Sequence, residues 1–259
     1  ICRVVFIHEE GELLKVTDME TEDPDAEIVK FREAVEKTLQ DLDGAREQLG
    51  SNLAGDVAEV FTVYELLLKG EEFCGAVEAA IGGNLSAATA LRNVVLEYVG
   101  RFDSMSDDYF RARKEDIQIL GNRIYGHLIE ASGKELPEDE TAVIAGRLVS
   151  IADIAKYPVE KLAGIVSGEG SVLSHTALLA KALRLPAVMG LDHYSELRDG
   201  ELVIVDGYRG TTVASPSEAV CEEYRRLIRE DRVLSDDLAR LKDEPAVTTD
   251  GVRVRLLAN

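Results

Sequence analysis

The stretch EGSVLSHTALLAKALRLPAVMG, residues 169–190, decides the fold class of this 259-residue chain. It follows the apolar run LAGIVSG with a glycine-containing loop, continues as a nearly apolar helix, and ends in the apolar run LPAVMG. Short apolar runs that alternate with helices predict a β/α unit. Ser174 is a good N-cap for the helix, so His175 is expected in its first turn.

His175 is the candidate catalytic residue. A helix start presents N–H groups that have no intrahelical partner, and Gly168 and Gly170 let the preceding loop bring more backbone donors close to a bound anion. Neutral imidazole is a nucleophile near neutral pH, with a reference pKa of about 6.5, and phosphate held on its nitrogen can be passed on. We therefore predict a phosphate loop containing Gly170 and Ser174, with His175 as the acceptor at an exposed helix start.

A capping or surface position is the alternative for His175. The other histidines, His8, His127 and His193, are assigned no catalytic or metal-binding role. The sequence around them shows no glycine-rich loop, carboxylate partner or metal-ligand spacing. No metal site is predicted.

An α/β domain is predicted for residues 139–216, which contain the strand-like runs TAVIAGRLV, LAGIVSG, LPAVMG, GELVIVDG and RGTTVASP. The run ICRVVFIH, within residues 1–15, has the same character. If it joins the same sheet, everything between it and residue 139 is an insertion.

That insertion, residues 24–131, is predicted to be helical throughout, because no strand-like run interrupts it. Asp23 can cap the first helix, with Pro24 at its first position. Apolar residues recur at helical spacing along this helix: Ile28, Phe31, Val35, Leu42, Ala45 and Leu49. The fold class is thus α+β or α/β, with a four-helix-bundle-like subdomain inserted into the α/β domain.

Residues 217–246 predict a long charged linker helix that Pro245 helps to end, and residues 247–259 are again strand-like. The sequence begins without Met and stops within a strand-like run, so we expect a piece of a longer protein.

The amino-acid composition disfavours several classes of binding partner and site. The chain has 29 Lys and Arg against 49 Asp and Glu, a formal charge of −20, which disfavours binding to nucleic acid and to anionic lipid. Such acidity serves solubility, or it attracts a basic protein partner. Three separated cysteines predict neither a disulfide framework nor a zinc site. The absence of a membrane span and of a signal peptide favours a cytoplasmic location.

Residues 169–190 resemble the phosphohistidine motif of the phosphoenolpyruvate-utilising enzymes, roughly G-G-x-T-S-H-x-A-I-x-A-R-x-L-x-I-P-A-V-x-G. The matching residues are Gly170, Ser174, His175, Ala177, Ala180, Leu183, Pro186, Ala187, Val188 and Gly190. The resemblance implies that His175 carries phosphate on a swivelling β/α domain.

The helical insertion is similar to that of Enzyme I of the phosphoenolpyruvate-dependent phosphotransferase system. SDDYFRARKEDIQILGNRI resembles its D-x-Y-L-x-x-R-x-x-D-x-x-D-I-G-x-R pattern at Asp108, Tyr109, Arg113, Asp116, Gly121 and Arg123. The resemblance implies docking of an HPr-like carrier protein. The residues expected to flank the docking groove are Leu66, Leu67, Tyr109, Phe110 and Arg113, and ordinary bundle packing is the alternative for the leucines.

The sequence departs from the family pattern at three points. Leu173 stands where the family has Thr, Lys181 stands in the phosphate site where it has Arg, and the second helix lacks a Lys that Enzyme I members commonly carry. Lysine supplies charge but cannot make a bidentate fork. GSVLSH and VDGYRG resemble the nitrogen-related branch, whose HPr-like carrier serves regulation rather than sugar uptake.

The implied function is that of a phosphoenolpyruvate-protein phosphotransferase: His175 accepts phosphate and transfers it reversibly to a histidine of an HPr-like carrier. The resemblance places the start of a C-terminal barrel at residues 247–259. Phosphoenolpyruvate and Mg²⁺ are expected only at the part of that barrel beyond residue 259, so this region needs no cofactor. We expect it to be a monomer and the full-length enzyme a dimer. The alternatives are the swivelling domain of a dikinase-like enzyme and a non-catalytic docking module that regulates an HPr-like partner.

Overall fold

A six-stranded sheet carries the α/β part of the chain. It is seen in a computed structural model that describes residues 1–7, 13–50, 55–131, 141–241 and 245–255; within these ranges the side chains of residues 55–57, 108–112, 235, 239 and 241 are not described. The strand order is β4-β3-β2-β1-β5-β6. The strands are β1 (Cys2–Phe6), β2 (Ala142–Gly146), β3 (Leu162–Ser167), β4 (Ala187–Met189), β5 (Leu202–Asp206) and β6 (Thr211–Ala214).

Strand β1 lies in the middle of this sheet. It pairs in parallel with β2, where Val4 is opposite Val143, and antiparallel with β5, where Cys2 is opposite Val203. Residues far apart in the sequence therefore share one sheet. The helices between β1 and β2 therefore lie, in the sequence, between two neighbouring strands of the sheet.

The described residues of the insertion form five helices, and their buried apolar residues face a common core. The first begins as predicted, with Pro24 at its first position and Asp23 Oδ1 accepting a hydrogen bond from the Ala26 N–H at 3.0 Å. Its predicted stripe is buried except at Ile28, which is half-buried. The helices are α1 (Pro24–Leu49), α2 (Gly55–Lys69), α3 (Glu71–Gly82), α4 (Ala87–Asp103) and α5 (Asp108–Leu128).

Helices α4 and α5 approach each other closely at Gly121. A Cβ on this residue would lie 2.6 Å from a methyl carbon of Val95 and 3.0 Å from one of Leu13. No side chain fits there without displacing those neighbours. The glycine therefore fixes how α5 lies on the rest of the insertion.

One hydrophobic core joins the helical insertion to a face of the sheet. It includes Phe31 and Ile124 from the helices together with Ile144 and Ile165 from the strands. The sheet is flanked by two further helices, α6 (Ile151–Ala155) and α7 (His175–Ala182); α1 contacts α6 and α2 contacts α7. Residues 1–215 accordingly form one compact unit. This shared core brings α5 and α7 together.

Residues 216–259 form a second unit. It contains helix α8 (Glu218–Leu241) within the predicted linker range, and Val247 and Arg253 form an isolated antiparallel bridge. Among the helices of the described ranges, none combines the length and the apolarity needed to cross a membrane.

Candidate active site

The backbone around His175 is that of a capped helix start after a glycine loop. Ser174 is the N-cap of α7, and its Oγ accepts a hydrogen bond from the Ala177 N–H at 3.2 Å, as predicted. Gly170 has a φ of +108°, which other residues rarely adopt. At Gly168 a Cβ would lie 2.1 Å from the ring of Tyr194, so this position also excludes a side chain. The two glycines fix the path of the loop into the helix.

The imidazole of His175 packs against α5. Its Nδ1 lies 3.1 Å from Oδ1 of Asp116, and Nη1 of Arg113 lies 2.7 Å from Nδ1 and beside Nε2. Only 12 % of the side chain is exposed. The prediction of an exposed histidine is therefore wrong, because two side chains of the helical insertion cover the ring.

Asp116 contacts three other side chains of this cluster. Its Oδ2 lies 3.0 Å from Nη1 of Arg113, and its Oδ1 accepts a hydrogen bond of 2.8 Å from the Tyr64 hydroxyl as well as facing His175. Tyr64 is 4 % exposed, and its burial, followed by the nearby charge of Asp116, raises the pKa of its phenol well above the ordinary value. The phenol therefore keeps its proton and acts as a donor.

Sequence reasoning did not place Asp116 or Tyr64 in the site. Asp116 could have been found, because it follows Arg113 by three residues within the matched motif and residues at that spacing share a helix face. Tyr64 lies in an apolar run of α2 that carries no signal of chemistry.

Glu115 adds a second carboxyl group beside the glycine loop. Its Oε2 would be 3.7 Å from a Cβ on Gly170, and this buried oxygen has no hydrogen-bond partner among the described residues. Burial, and then the charge of Asp116, raise the pKa of Glu115 above its ordinary value. The loop thus faces a carboxyl group that holds its proton more tightly than usual.

Lys181, which was predicted for the phosphate site, lies away from the imidazole. Lys181 is exposed and follows His175 by six residues, which is about 9 Å along the helix axis. Leu173 is half exposed beside the helix start. The structure does not bring Lys181 to the ring, so its predicted phosphate contact has no support here.

The predicted docking residues are divided in their exposure. Leu66 is 68 % exposed, whereas Leu67 is half-buried against the core. Arg113 is largely buried between Asp116 and His175. Tyr109 and Phe110 belong to α5, but their side chains lie outside the described residues.

Two other histidines have carboxylate partners, contrary to the sequence-based expectation. Nε2 of His127 lies 2.9 Å from Oδ2 of Asp41, and Nδ1 of His193 lies 3.3 Å from Oε1 of Glu196. His8 lies outside the described residues. A neighbouring carboxylate therefore does not distinguish His175 from the rest.

The residues around His175 do not fit a metal ion. Within the described ranges, no group of three or more His, Cys, Asp and Glu side chains could hold one. Both oxygens of Asp116 already contact protein groups. We therefore derive no step through Mg²⁺ at this site.

The chemistry of the cluster is that of an oriented nucleophile. Nδ1 of His175 faces the carboxylate of Asp116, and the guanidinium of Arg113 lies beside both ring nitrogens. A fixed cation next to the free lone pair attracts an anionic electrophile such as a phosphoryl group.

Sequence models of two protein domains match the chain. One is described as "PEP-utilising enzyme, N-terminal" and matches residues 1–113; the other is described as "PEP-utilising enzyme, mobile domain" and matches residues 138–210. PEP is phosphoenolpyruvate.

Curated relatives match over almost the whole chain. A phosphoenolpyruvate-protein phosphotransferase of Staphylococcus aureus is 32 % identical over 253 residues, which cover 95 % of this chain and 42 % of the relative. The enzyme of the same name from Listeria innocua is 30 % identical over 252 residues, which cover 96 % of this chain and 43 % of the relative. The chain thus spans less than half the length of these relatives.

Solved structures show the same architecture. A solution structure of Enzyme I, described as nEIt, superposes with a TM-score of 0.67 at 28 % identity, covering 89 % of this chain and 94 % of that one. A structure described as the N-terminal domain of Enzyme 1 - Nitrogen gives 0.58 at 25 % identity, with coverages of 88 % and 94 %. The two domain models together match more than half of the sequence, and the chain therefore belongs to the phosphoenolpyruvate-utilising enzymes, as a counterpart of the N-terminal part of Enzyme I.

Proposed function

We propose that this region is a phosphoryl relay in which Nε2 of His175 takes a phosphoryl group and passes it reversibly to a histidine of an HPr-like carrier. The observation that carries the proposal is the position of His175 at a helix start, with Nδ1 against Asp116 and the guanidinium of Arg113 beside the ring. The relatives named phosphoenolpyruvate-protein phosphotransferase support the same reaction.

The transfer is an exchange between two imidazoles. The lone pair on Nε2 of His175 attacks the phosphorus of the carrier's phosphohistidine; the new N–P bond forms, the old one breaks, and its electron pair returns to the carrier's imidazole. Asp116 keeps the Nδ1 proton on His175 and balances the positive charge that the ring acquires. Arg113 offsets the negative charge of the phosphoryl oxygens, so catalysis rests on positioning and electrostatics.

An apolar surface beside His175 is proposed as the docking face. On α2, which contacts α7, Leu66 and Val63 are exposed, and Val172 and Leu173 are exposed just before α7. Exposed apolar residues that cluster near a reactive group are typical of a protein-binding surface. The net charge of −20 would steer a basic carrier toward it. We retain Leu66, Leu67, Tyr109, Phe110 and Arg113 as candidate docking residues.

Burial of His175 implies a movement during the reaction cycle. A shift of the Arg113 guanidinium away from Nε2 would admit a phosphoryl group while Nδ1 keeps its contact with Asp116. We propose that phosphoenolpyruvate and Mg²⁺ act in a part of the enzyme outside residues 1–259, and that dimerisation resides there too. The full relatives are more than twice as long as the matched region.

For the carrier, we propose the nitrogen-regulatory type as the first candidate. GSVLSH and VDGYRG resemble that branch, and one of the similar solved structures is described as Enzyme 1 - Nitrogen. A sugar-type HPr is the second candidate, since the relatives named phosphoenolpyruvate-protein phosphotransferase carry no branch designation.

Transfer from a labelled carrier tests the proposal. The 259-residue protein is mixed with ³²P-phosphorylated HPr of the sugar type and of the nitrogen type in separate reactions. We expect acid-labile, alkali-stable label on the peptide that contains His175, and no label from phosphoenolpyruvate with Mg²⁺ alone. Carrier binding without label would instead indicate a docking module, and direct labelling by phosphoenolpyruvate would contradict the placement of its site outside this region.

A further inference from the structure

A hydrogen-bonded chain runs from the interior of the helical insertion to the reactive histidine. The Tyr64 hydroxyl lies 2.8 Å from Oδ1 of Asp116, and the same oxygen lies 3.1 Å from Nδ1 of His175. These three side chains come from α2, α5 and α7. This series of hydrogen bonds therefore crosses the contact between the helical insertion and the α/β part.

The chemistry of the three groups fixes where the protons are. The Asp116 carboxylate can only accept, so its contact with His175 requires a hydrogen on Nδ1. Nη1 of Arg113 lies within hydrogen-bonding distance of both ring nitrogens, and with the Nδ1 proton directed at Asp116 only Nε2 has a lone pair that can accept from it. The tautomer follows from the partners and not from the ring itself.

We propose that Tyr64 is a positioning residue that fixes the tautomer of His175 through Asp116. Its hydroxyl holds Oδ1 at the place where that oxygen accepts the Nδ1 proton, which leaves Nε2 as the attacking atom. The role in phosphoryl transfer rests on the proposed function, but the tautomer is a property of the resting protein and does not.

Asp116 alone would not be held in this way. Its Oδ2 is attracted to Arg113 at 3.0 Å, and without the tyrosine the carboxylate could turn toward that cation and away from the imidazole. Each carboxylate oxygen of Asp116 has its own donor, because Arg113 donates to Oδ2 and the Tyr64 hydroxyl donates to Oδ1. Tyr64 thus supplies the constraint that keeps Oδ1 in line with Nδ1.

Two described side chains next to His175 do not replace this hydroxyl. Leu173, which stands where the family pattern has Thr, has no hydrogen-bonding group in its side chain. The Oγ of Ser174 is used in capping α7 through Ala177. In this chain the orientation of His175 therefore depends on a residue of the helical insertion.

Tyr64→Phe removes the hydroxyl and keeps the ring that fills the core. The matched control is Tyr157→Phe: Tyr157 is also buried, and the pKa of its phenol is raised by burial and by a nearby aspartate, Asp153, outside the site. The readout is the pair of ¹⁵N chemical shifts of the His175 ring in ¹⁵N-histidine-labelled protein, at a pH where the ring is neutral.

We expect the wild-type protein and the Tyr157→Phe control to show Nδ1–H with an unprotonated Nε2. In Tyr64→Phe the two ¹⁵N shifts should converge, as for a mixture of tautomers. A wild-type His175 protonated on Nε2, or a Tyr64→Phe variant with wild-type shifts, would overturn the proposal. If the variant does not fold, the wild-type protein still decides: a slowly exchanging Tyr64 hydroxyl proton with an NOE to the Nδ1 proton supports the proposal, and its absence refutes it.

Kinetics provide the second readout. With a phosphorylated HPr-type carrier, Tyr64→Phe should lower kcat about 3- to 10-fold, as expected for one lost hydrogen bond that acts through another residue, and should leave KM unchanged. A change in KM alone would indicate docking instead of positioning. A wild-type protein that accepts no phosphate would refute the proposed function, while the ¹⁵N result would still decide the role of Tyr64.

Discussion

The two ends of helix α5 carry the same residue types arranged for different purposes. Toward its start, Arg113 and Asp116 meet His175. Toward its end, Arg123 and His127 meet Asp41, with Arg123 also contacting Asp153. Each end therefore combines a histidine, an arginine and at least one carboxylate within hydrogen-bonding distance.

The backbone context separates the two clusters. His175 begins a helix after a glycine loop, where free N–H groups favour an anion. His127 lies in the last turn of its helix, where the carbonyl ends favour a cation. The backbone near His175 therefore favours a negatively charged phosphoryl group, whereas the backbone near His127 disfavours one. Under the proposed function, the two clusters differ because only His175 has the unpaired N–H groups of a helix start beside it.

Replacing each histidine with glutamine should give the largest difference in phosphate acceptance between the two ends of α5. We expect His175→Gln to lose phosphate acceptance to background, because the amide is not a nucleophile, while His127→Gln keeps the wild-type rate. The measurement is ³²P transfer from a phosphorylated carrier, with circular dichroism as the check on folding. Equal losses in both variants would show that the two ends of α5 are not functionally distinct.

The next effect concerns stability at the far end of α5. Arg123→Met should lower the free energy of unfolding by about 2–4 kcal/mol, because it leaves the buried carboxylate of Asp153 without its arginine. This corresponds to a fall in Tm of about 5–15 °C. The rate of phosphate acceptance at low temperature should not change.

The control for this variant is Arg101→Met, which removes an exposed ion pair with Glu97 on α4. Its effect should stay below about 1 kcal/mol. If Arg123→Met were no more destabilising than this control, the ion pair between Arg123 and Asp153 would not contribute to stability as its burial indicates.

The smallest effect belongs to Glu115. Its pKa is raised in the folded protein, so the folded state holds the proton to higher pH than the unfolded chain does. Wild-type stability from this group is present below the ordinary pKa of 4.5 and is lost as pH rises through the folded value.

Glu115→Gln removes the loss of stability that accompanies deprotonation of Glu115, because glutamine does not ionise. We expect it to raise Tm by about 1–2 °C at pH 7, a gain reduced by solvent screening, and to have no effect at a pH well below 4.5. Thermal melts across this range test the sign. A variant less stable than wild type at pH 7 would mean that the Glu115 carboxylate has a stabilising partner.

The sequence predicted those features of the fold and the site that depend only on residues close together in the chain. The cap at Ser174, the helix start at His175 and the cap at Asp23 follow from residues within three or four positions of one another. The sequence indicated that the run ICRVVFIH is strand-like, but its central position in the sheet was not predicted.

The partners of His175 could not be predicted in the same way. Asp116 is 59 positions away in the sequence, and Tyr64 is a further 52 positions from Asp116. Such contacts depend on how α5 lies on the sheet, which is set by core packing and by the close approach at Gly121. Helical periodicity shows that a face is buried but not what covers it, and for this reason the burial of His175 was missed.

The central position of β1 has a consequence for folding during synthesis. Its neighbours on the two sides, residues 142–146 and 202–206, are made long after it, so both of its edges stay unpaired while the entire helical insertion is translated. Unpaired strand edges promote association between chains, and contacts of such long range are slow to form. A ribosome that stalls between residues 128 and 141 therefore presents the translated helices together with a β1 strand whose two edges are unpaired, a state that favours association with other chains.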